Sequence, residues 1–403
     1  MKITHLSLTN FRNYSRLELG FSEKTALFVG ANAQGKTSIL EAIYYIATLT
    51  SFQAENDRQL INLTAIQSPL AVARIVADFQ RENHQRQIEV RIIKQEKNGN
   101  REGNIHKEVL LDGVKKKIYE VVGTLNAILF VPQMLSVIEG TPEVRRRYLN
   151  LLLAQVVAGY GEQLNLYHKA LTQRNALLKR LNENGGDVNQ LNFWDEQLSE
   201  SGSRIIHARI NALHELGKLA KRAHHSLSRQ KEILRVDYFP SLDPLEQPKS
   251  QFALSLDTYI DRTAVTLKEI RSKFFTQLEK ERLLDIQKGM TTSGPHRDDF
   301  CIRANGLDLG CYGSRGQIRT AMLSLKIAEM LWMQEKTHEH PILMFDEVLA
   351  ELDQERREAL LESIHLSEQV LCTTTDLNLF NKNFLQQTEI WQINQGNLSF
   401  YKF

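Results

Sequence analysis

The chain has 403 residues, with 50 Lys and Arg against 48 Asp and Glu for a formal net charge of +2, and 42% of its residues are hydrophobic. These values exclude an indiscriminate polycation and a disordered acidic chain, and the length gives a prior of roughly two to three domains with buried cores. No apolar run approaches the ~18–20 residues of a membrane-spanning helix. No apolar leader follows Met1, and Cys301, Cys311 and Cys372 form neither a CxxC pair nor a disulfide framework, so a reduced, cytoplasmic setting without a membrane is expected.

In chain order, Thr25–Val29 reads as a short buried strand, and Ile39, Leu40, Ile43, Ile46 and Ala47 recur at helical spacing directly after it. From Leu70 to Tyr119 the pattern is of strands, with a hairpin turn at Leu111-Asp112-Gly113-Val114. One long helical stretch is expected over 142–184, a break at Asn184-Gly185-Gly186-Asp187, a second helix over 192–229, a proline-bearing loop over 237–250 and a third helix over 258–286. From Met290 the α/β pattern returns, with helices over 317–336 and 354–364 and strands at Ile342–Phe345 and Gln369–Thr373. One α/β module, 1–120 with 290–403, is therefore expected to be split by a helical arm, 121–289. Charge is uneven along it: residues 1–140 carry net +3, 141–240 net +5 and 241–403 net −6.

Gly30-Ala31-Asn32-Ala33-Gln34-Gly35-Lys36-Thr37 fits GxxxxGK[ST] between an apolar strand and an amphipathic helix. In that context backbone N–H groups ring a phosphate and the helix N-terminus adds positive potential. Lys36 would reach the β- and γ-phosphates, Thr37 would coordinate Mg²⁺, and Gly30, Asn32, Gln34, Gly35 and Ser38 would line the nucleotide. A chance glycine turn is the competing reading, disfavoured by the correct flanks. Ile342–Phe345 is an apolar strand ending in Asp346-Glu347. There Asp346 would hold the metal and Glu347 would polarise the attacking water; capped, solvated acids at a strand end are the alternative. Lys36 and Asp346 are 310 positions apart, more than a transporter ATPase allows.

Gly313-Ser314-Arg315-Gly316-Gln317 precedes a helix and resembles the signature of ABC-type ATPases, in which Ser and Gly bind the γ-phosphate held by another subunit; Ser314 is equally a plain N-cap. Together with Leu8–Tyr14, Gly140-Thr141-Pro142, Arg145–Leu149, Thr292–Phe300 and Asp346–Asp353, these residues make the chain resemble the RecF family of bacterial recombination mediators, in the SMC-like group of ABC ATPases. The arm is too short for a long coiled coil: a helix of about 40 residues spans ~60 Å. The resemblance implies an ABC-type α/β ATPase head with a helical arm, and an ATP- and Mg²⁺-dependent homodimer on double-stranded DNA near gaps. It further implies work with RecR, RecO and RecA in repair, replication and SOS induction, with a weak DNA-stimulated ATPase and no covalent chemistry on DNA. Asp353 would join the nucleotide site, Gln133 stands where a metal-contacting loop residue is expected, and Arg12 would approach phosphate or adenine.

Departures from the pattern bear on turnover. Thr375 stands near the place of the transporters' switch histidine, which implies slow hydrolysis, and Gln53 replaces a common arginine, with Arg58 nearby. For DNA, Lys115, Lys116 and Lys117, Arg145, Arg146 and Arg147, and Lys218, Lys221 and Arg222 are candidate backbone contacts, although a solvated face is the commoner role of any one of them. His296 reads as part of a hydrogen-bonded turn and His224-His225 as a solvated pair without ligand spacing. A nuclease-regulating ATPase is the alternative function, but no nuclease domain is evident after Asp353.

Overall fold

The structure is a computed structural model; it describes residues 1–82, 84–97, 100–245, 259–351, 357, 360 and 367–401. Asp353 and, apart from Arg357 and Leu360, the expected helix over 354–364 lie outside the described residues. Contacts divide the chain into two units, 1–133 with 333–403, and 134–332.

The first unit holds two sheets of six strands each, with a helix between them. One sheet is antiparallel: β1 (Lys2–Phe11), β2 (Tyr14–Gly20), β4 (Leu70–Arg81), β5 (His84–Lys97), β6 (Asn100–Leu111) and β7 (Val114–Lys116), in the order β2-β1-β4-β5-β6-β7. The second contains β3 (Thr25–Val29), β8 (Ala127–Phe130), β12 (Ile342–Asp346), β13 (Val370–Thr374), β14 (Glu389–Asn394) and β15 (Asn397–Tyr401), in the order β15-β14-β3-β13-β12-β8. Only β15 in it is antiparallel. Strands β12 and β13 are buried at every residue, which is why they read as continuous apolar runs rather than alternating ones. Helix α1 (Lys36–Thr48) touches β4 and β5 on one side and β8, β12 and β13 on the other, and so is buried over most of its surface, Lys36, Glu41 and Thr48 included; a short helix α2 (Ile118–Val121) follows β7.

The second unit contains α3 (Ser136–Glu139), α4 (Pro142–Val156), α5 (Tyr160–Asn184), α6 (Leu191–Leu227), α7 (Leu267–Lys288), α8 (Leu309–Tyr312) and most of α9 (Arg315–Thr337). Its small sheet joins β9 (Leu234–Phe239), β10 (Asp299–Ala304) and β11 (Leu307–Asp308) in the order β11-β10-β9. Helices α5, α6 and α7 pack along one another; at one end Leu177, Leu178, Leu181 and Leu191 form a cluster with Trp194 and Ile286. The single helix expected over 142–184 is two: Val157 turns extended and ends α4, and Gly159, left-handed at φ 74°, stands at the N-cap of α5. Strand β9 lies across the start of the expected loop, pairing with β10 from Leu234↔Ala304 to Phe239↔Asp299. Helix α7 begins later than expected, at a capping box in which Thr266 Oγ1 accepts from Glu269 N–H and Glu269 Oε2 accepts from Thr266 N–H.

The unit boundaries differ from 120/121 and 289/290 for a physical reason. Residues 127–130 pair with β12, Phe130 opposite Phe345, and so belong to the sheet of the first unit. Residues 290–332 carry β10, paired with β9, and most of α9, whose Ser324, Glu329 and Trp332 bond His224, Tyr148 and Glu215. No helix among the described residues is long and apolar enough to cross a membrane.

Candidate nucleotide site

Parallel register brings the chemistry to one edge. Asp346 pairs with Thr373 across β12 and β13, and Thr374 pairs with Val29 across β13 and β3, so the carboxyl ends of three strands meet beside the 30–37 loop. Gly35 caps α1 with φ 112°; a side chain there would also meet Asn13 Nδ2 at 2.4 Å and the Tyr14 hydroxyl at 2.7 Å. Those neighbours brace the loop: Tyr14 OH donates to Gly35 O at 3.1 Å and Asn13 Nδ2 to Gln34 O at 3.2 Å. From the β14–β15 turn, Gly396 N–H donates to Gln34 O at 3.2 Å and Gln395 N–H to Gln34 Oε1 at 2.5 Å.

Lys36 is 3% exposed, and its ammonium donates to Gly30 O at 2.8 Å and Ala31 O at 3.0 Å and pairs with Glu347 Oε1 at 3.1 Å. Thr37 Oγ1 donates to Asp346 Oδ1 at 2.9 Å. Thr373 Oγ1 donates to the same oxygen at 2.7 Å and accepts from Glu347 N–H at 3.1 Å. Burial pushes the Asp346 carboxyl above its ordinary range and Glu347 adds to this, while the two threonine hydroxyls and Lys36 oppose it. Glu347 itself has φ 56°, uncommon for a residue with a side chain. Beside these groups is a cavity of about 610 Å³, within the usual range of a small-molecule site; Asn32, Gly35, Lys36, Thr37, Ser38 and Glu347 line it.

Other expected residues are placed differently. Arg12 lines the cavity, but its guanidinium grips the buried Glu41 with two bonds of 2.7 Å and donates to Gln59 O at 3.0 Å, which fixes it as a wall rather than a free phosphate ligand. Gln53 also lines the cavity. Gln133 is exposed, three residues beyond β8, and is not among the cavity-lining residues described. Thr375 is exposed one residue beyond β13. Ser314, Gly316 and Gln317 belong to the second unit and open α9. Ser314 Oγ accepts from Gln317 N–H at 3.3 Å, and Gln317 Oε1 accepts from Ser314 N–H at 2.9 Å, so the capping role of Ser314 is realised at an exposed residue.

Among the basic candidates, Lys115, Lys116 and Lys117 are exposed at the sheet edge, Lys115 paired with Glu108 at 2.6 Å and Lys117 over the Tyr119 ring. Arg145 is bound by Asp299 through bonds of 2.6 and 2.7 Å and Arg146 donates to Asp298 O at 2.8 Å. These two arginines tie α4 to β10 and its approach; they do not form an open row of cations, and the expectation for 145–147 is corrected to that extent. His224 is likewise buried rather than solvated, bonded to Ser324 and Glu232 at 3.0 Å each. His296 sits in a hydrogen-bonded turn, with the Tyr167 hydroxyl 2.6 Å from Nδ1 and Thr291 O 3.1 Å from Nε2. No group of three or more His, Cys, Asp or Glu among the described residues is placed to hold a metal ion on protein ligands alone.

The model of the RecF/RecN/SMC N terminal domain matches residues 2–397. The DNA replication and repair protein RecF of Halalkalibacterium halodurans is 34% identical over 399 residues, covering 99% of each chain. That of Herpetosiphon aurantiacus is 35% identical over 405 residues, 98% of this chain and 99% of the other. The chain belongs to the RecF family. Among solved structures, the recombination mediator protein RecF-ATPrS in the RecFOR pathway superposes with TM-score 0.82 at 29% identity over 100% of this chain and 98% of that one. The RecF-ATP structure gives 0.81 at 28%, over 99% of each. The ABC-type α/β head with an inserted helical segment, expected from the motifs, is thus the fold of this RecF-family chain.

Thr373, Asn13 and Tyr14 are the site residues that motif reading missed. Thr373 is legible as the end of an apolar strand and the start of the Thr373–Asp376 stretch at the place of the switch histidine; its role depends on β13 being the neighbour of β12. Asn13 and Tyr14 lie in a stretch that carries the family resemblance but no motif chemistry, because their contact with Gly35 and Gln34 exists only once β1 and β2 form a hairpin.

Proposed function

We propose that this chain is an ATP-controlled DNA-binding recombination mediator of bacterial repair and replication, acting in the cytoplasm. The observation that carries the reading is the cluster of Lys36, Thr37, Asp346 and Glu347 around one cavity, in a chain that aligns end to end with ATP-bound RecF structures. The triphosphate rests on the 30–37 loop and the start of α1, with the Lys36 ammonium transferred from Gly30 O and Ala31 O to phosphate oxygens. The Thr37 hydroxyl and Asp346 carboxylate are hard oxygen donors of the kind Mg²⁺ takes beside phosphate; they would hold the cation, and its charge would offset the cost of burying the carboxylate. When bound, Mg²⁺ supplies charge neutralisation at the phosphates. Glu347 orients the attacking water, and nothing in the site acts on DNA covalently.

Ser314 and Gly316, exposed at the N-terminal end of α9, and the half-buried Gln317 beside them meet the nucleotide of a second copy, so that ATP closes a homodimer on duplex DNA near gaps and hydrolysis opens it. In this reading RecR and RecO act with the dimer in loading RecA, and the same loading underlies SOS induction. Sedimentation velocity tests the switch: Glu347→Gln with ATP and Mg²⁺ gives a long-lived dimer, and Lys36→Met stays monomeric under the same conditions. A Glu347→Gln chain that sediments as a monomer under saturating ATP counts against the mechanism.

A further inference from the structure

Thr373 carries no assigned role in the readings above, yet its hydroxyl joins the two acids that matter most. It is 2% exposed at the end of β13, opposite Asp346 in the parallel register. A threonine hydroxyl has one proton to give, and here that proton goes to Asp346 Oδ1 at 2.7 Å while the oxygen accepts Glu347 N–H at 3.1 Å. The second bond fixes the residue whose φ is 56°, and this backbone turn carries the Glu347 carboxylate to within 3.1 Å of the Lys36 ammonium. The first bond, with that from Thr37 at 2.9 Å, places two donors on one oxygen of Asp346 and so sets the rotation of its carboxylate. Valine has the same shape and neither capability.

We propose that Thr373 is a positioning residue for nucleotide hydrolysis: one hydroxyl sets the geometry of both Asp346 and Glu347. The inference rests on the proposed ATPase reading of the site. Nucleotide affinity comes chiefly from Lys36 and the backbone of the 30–37 loop, which Thr373 does not touch, whereas the water-orienting Glu347 contributes in the reacting state. Loss of Thr373 therefore separates turnover from binding.

The test compares Thr373→Val and Thr373→Ser in the full chain, by single-turnover ATP hydrolysis, fluorescent-ATP binding with and without Mg²⁺, and the melting midpoint of the nucleotide-free chain. Thr373→Val is expected to slow hydrolysis roughly 10- to 100-fold, as displacement of a reacting group by a fraction of an ångström does. Its nucleotide Kd without Mg²⁺ stays within about threefold of the parent, and Thr373→Ser restores the rate to within about threefold. Should the Val chain fail to fold, Thr373→Ala, which removes both bonds and adds no atoms, carries the same expectation. A Val or Ala chain that hydrolyses ATP at the parental rate overturns the inference, as does one that loses binding and turnover in equal proportion, or a Ser chain as slow as the Val chain. Lys36→Met and Glu347→Gln are run beside them: an unsubstituted chain without ATP turnover, or one unaffected by Glu347→Gln, overturns the proposed function itself, whereas normal turnover in Thr373→Val beside an inactive Glu347→Gln overturns the positioning role alone.

Discussion

His296 illustrates how a single residue's chemistry follows from its surroundings. With the proton on Nε2 it donates to Thr291 O, and Nδ1 takes the Tyr167 hydroxyl, so the neutral ring is fully bonded. Burial pulls its pKa down from 6.5 to about 4, with Arg297 and Arg146 adding to the effect and the Thr291 bond and Asp298 opposing it. A folded pKa below the unfolded one means that the neutral ring's contribution to stability is complete above pH 6.5 and is lost as pH falls through 4. At about 1.4 kcal/mol per pKa unit the loss across that window is about 3 kcal/mol. Urea unfolding monitored by circular dichroism at several pH values should show that slope, and His296→Gln, which keeps a donor and an acceptor, should flatten it. An unchanged slope in the variant would assign the acid sensitivity to other groups. His296 also shows the limit of residue-by-residue reading: the turn was legible in Thr292–Phe300, but its partner Tyr167 lies 129 positions away.

At the scale of elements, α5, α6 and α7 are joined by a buried ionic knot as well as by apolar packing. Arg174 on α5, wholly buried, bonds Asp195 on α6 and Asp285 on α7 at 2.6 Å each, and Arg282 on α7 returns to Asp195 at 2.6 Å. Two arginines against two aspartates leave the knot neutral, which is what permits its burial. Arg174→Met fills similar volume but takes the arginine from one oxygen of Asp285 and one of Asp195, leaving Thr292 on the other oxygen of Asp285 and Arg282 on that of Asp195. Removing one partner of such a pair costs about 3–5 kcal/mol, and the urea midpoint should fall accordingly; a midpoint within error of the parent would mean that the knot adds nothing. None of this was readable beforehand, because the four residues span 174 to 285 and each looks like an ordinary helix-surface charge. The helices themselves were legible from their apolar period, and the helix break at 184–187 fell where Gly185 and Gly186 stand. The break at Gly159 was missed because one glycine among strong helix formers weighs little against the pattern.

Over the whole chain, net charge +2 is the sum of a basic first 240 residues, net +8, and an acidic remainder, net −6. Lys218, Lys221 and Arg222 are exposed on α6 and Lys115–117 on a sheet edge, whereas Arg145 and Arg146 are bonded internally. DNA affinity of this chain should therefore depend on the exposed lysines and fall with salt, each phosphate neutralised contributing a slope of about −0.9 in log K against log salt. A salt titration on duplex, gapped and single-stranded DNA, with and without ATP, checks both points. Tighter binding to duplex and gapped DNA with ATP is expected, and equal affinity regardless of nucleotide would sink the switch. Reversing charge at Lys218, Lys221 and Arg222 together should weaken binding and flatten the slope, while Arg145→Ala should act first on stability.

Elements that rest on local pattern are written in the residues themselves: the phosphate loop between a strand and a helix, the apolar strand ending in Asp346-Glu347, the capped start of α9 and the long helices. Their signals are short-range, carried by periodicity, glycine and capping chemistry within a few residues. Which distant side chains meet is a property of the folded chain. Strand order put Thr373 against Asp346, a hairpin put Tyr14 under Gly35, and a buried glutamate claimed Arg12. The pairing of β8 with β12, and of β9 with β10, moved the unit boundaries from their expected places. Each of these depends on register and burial between segments tens to hundreds of residues apart, where one sequence carries composition but not proximity.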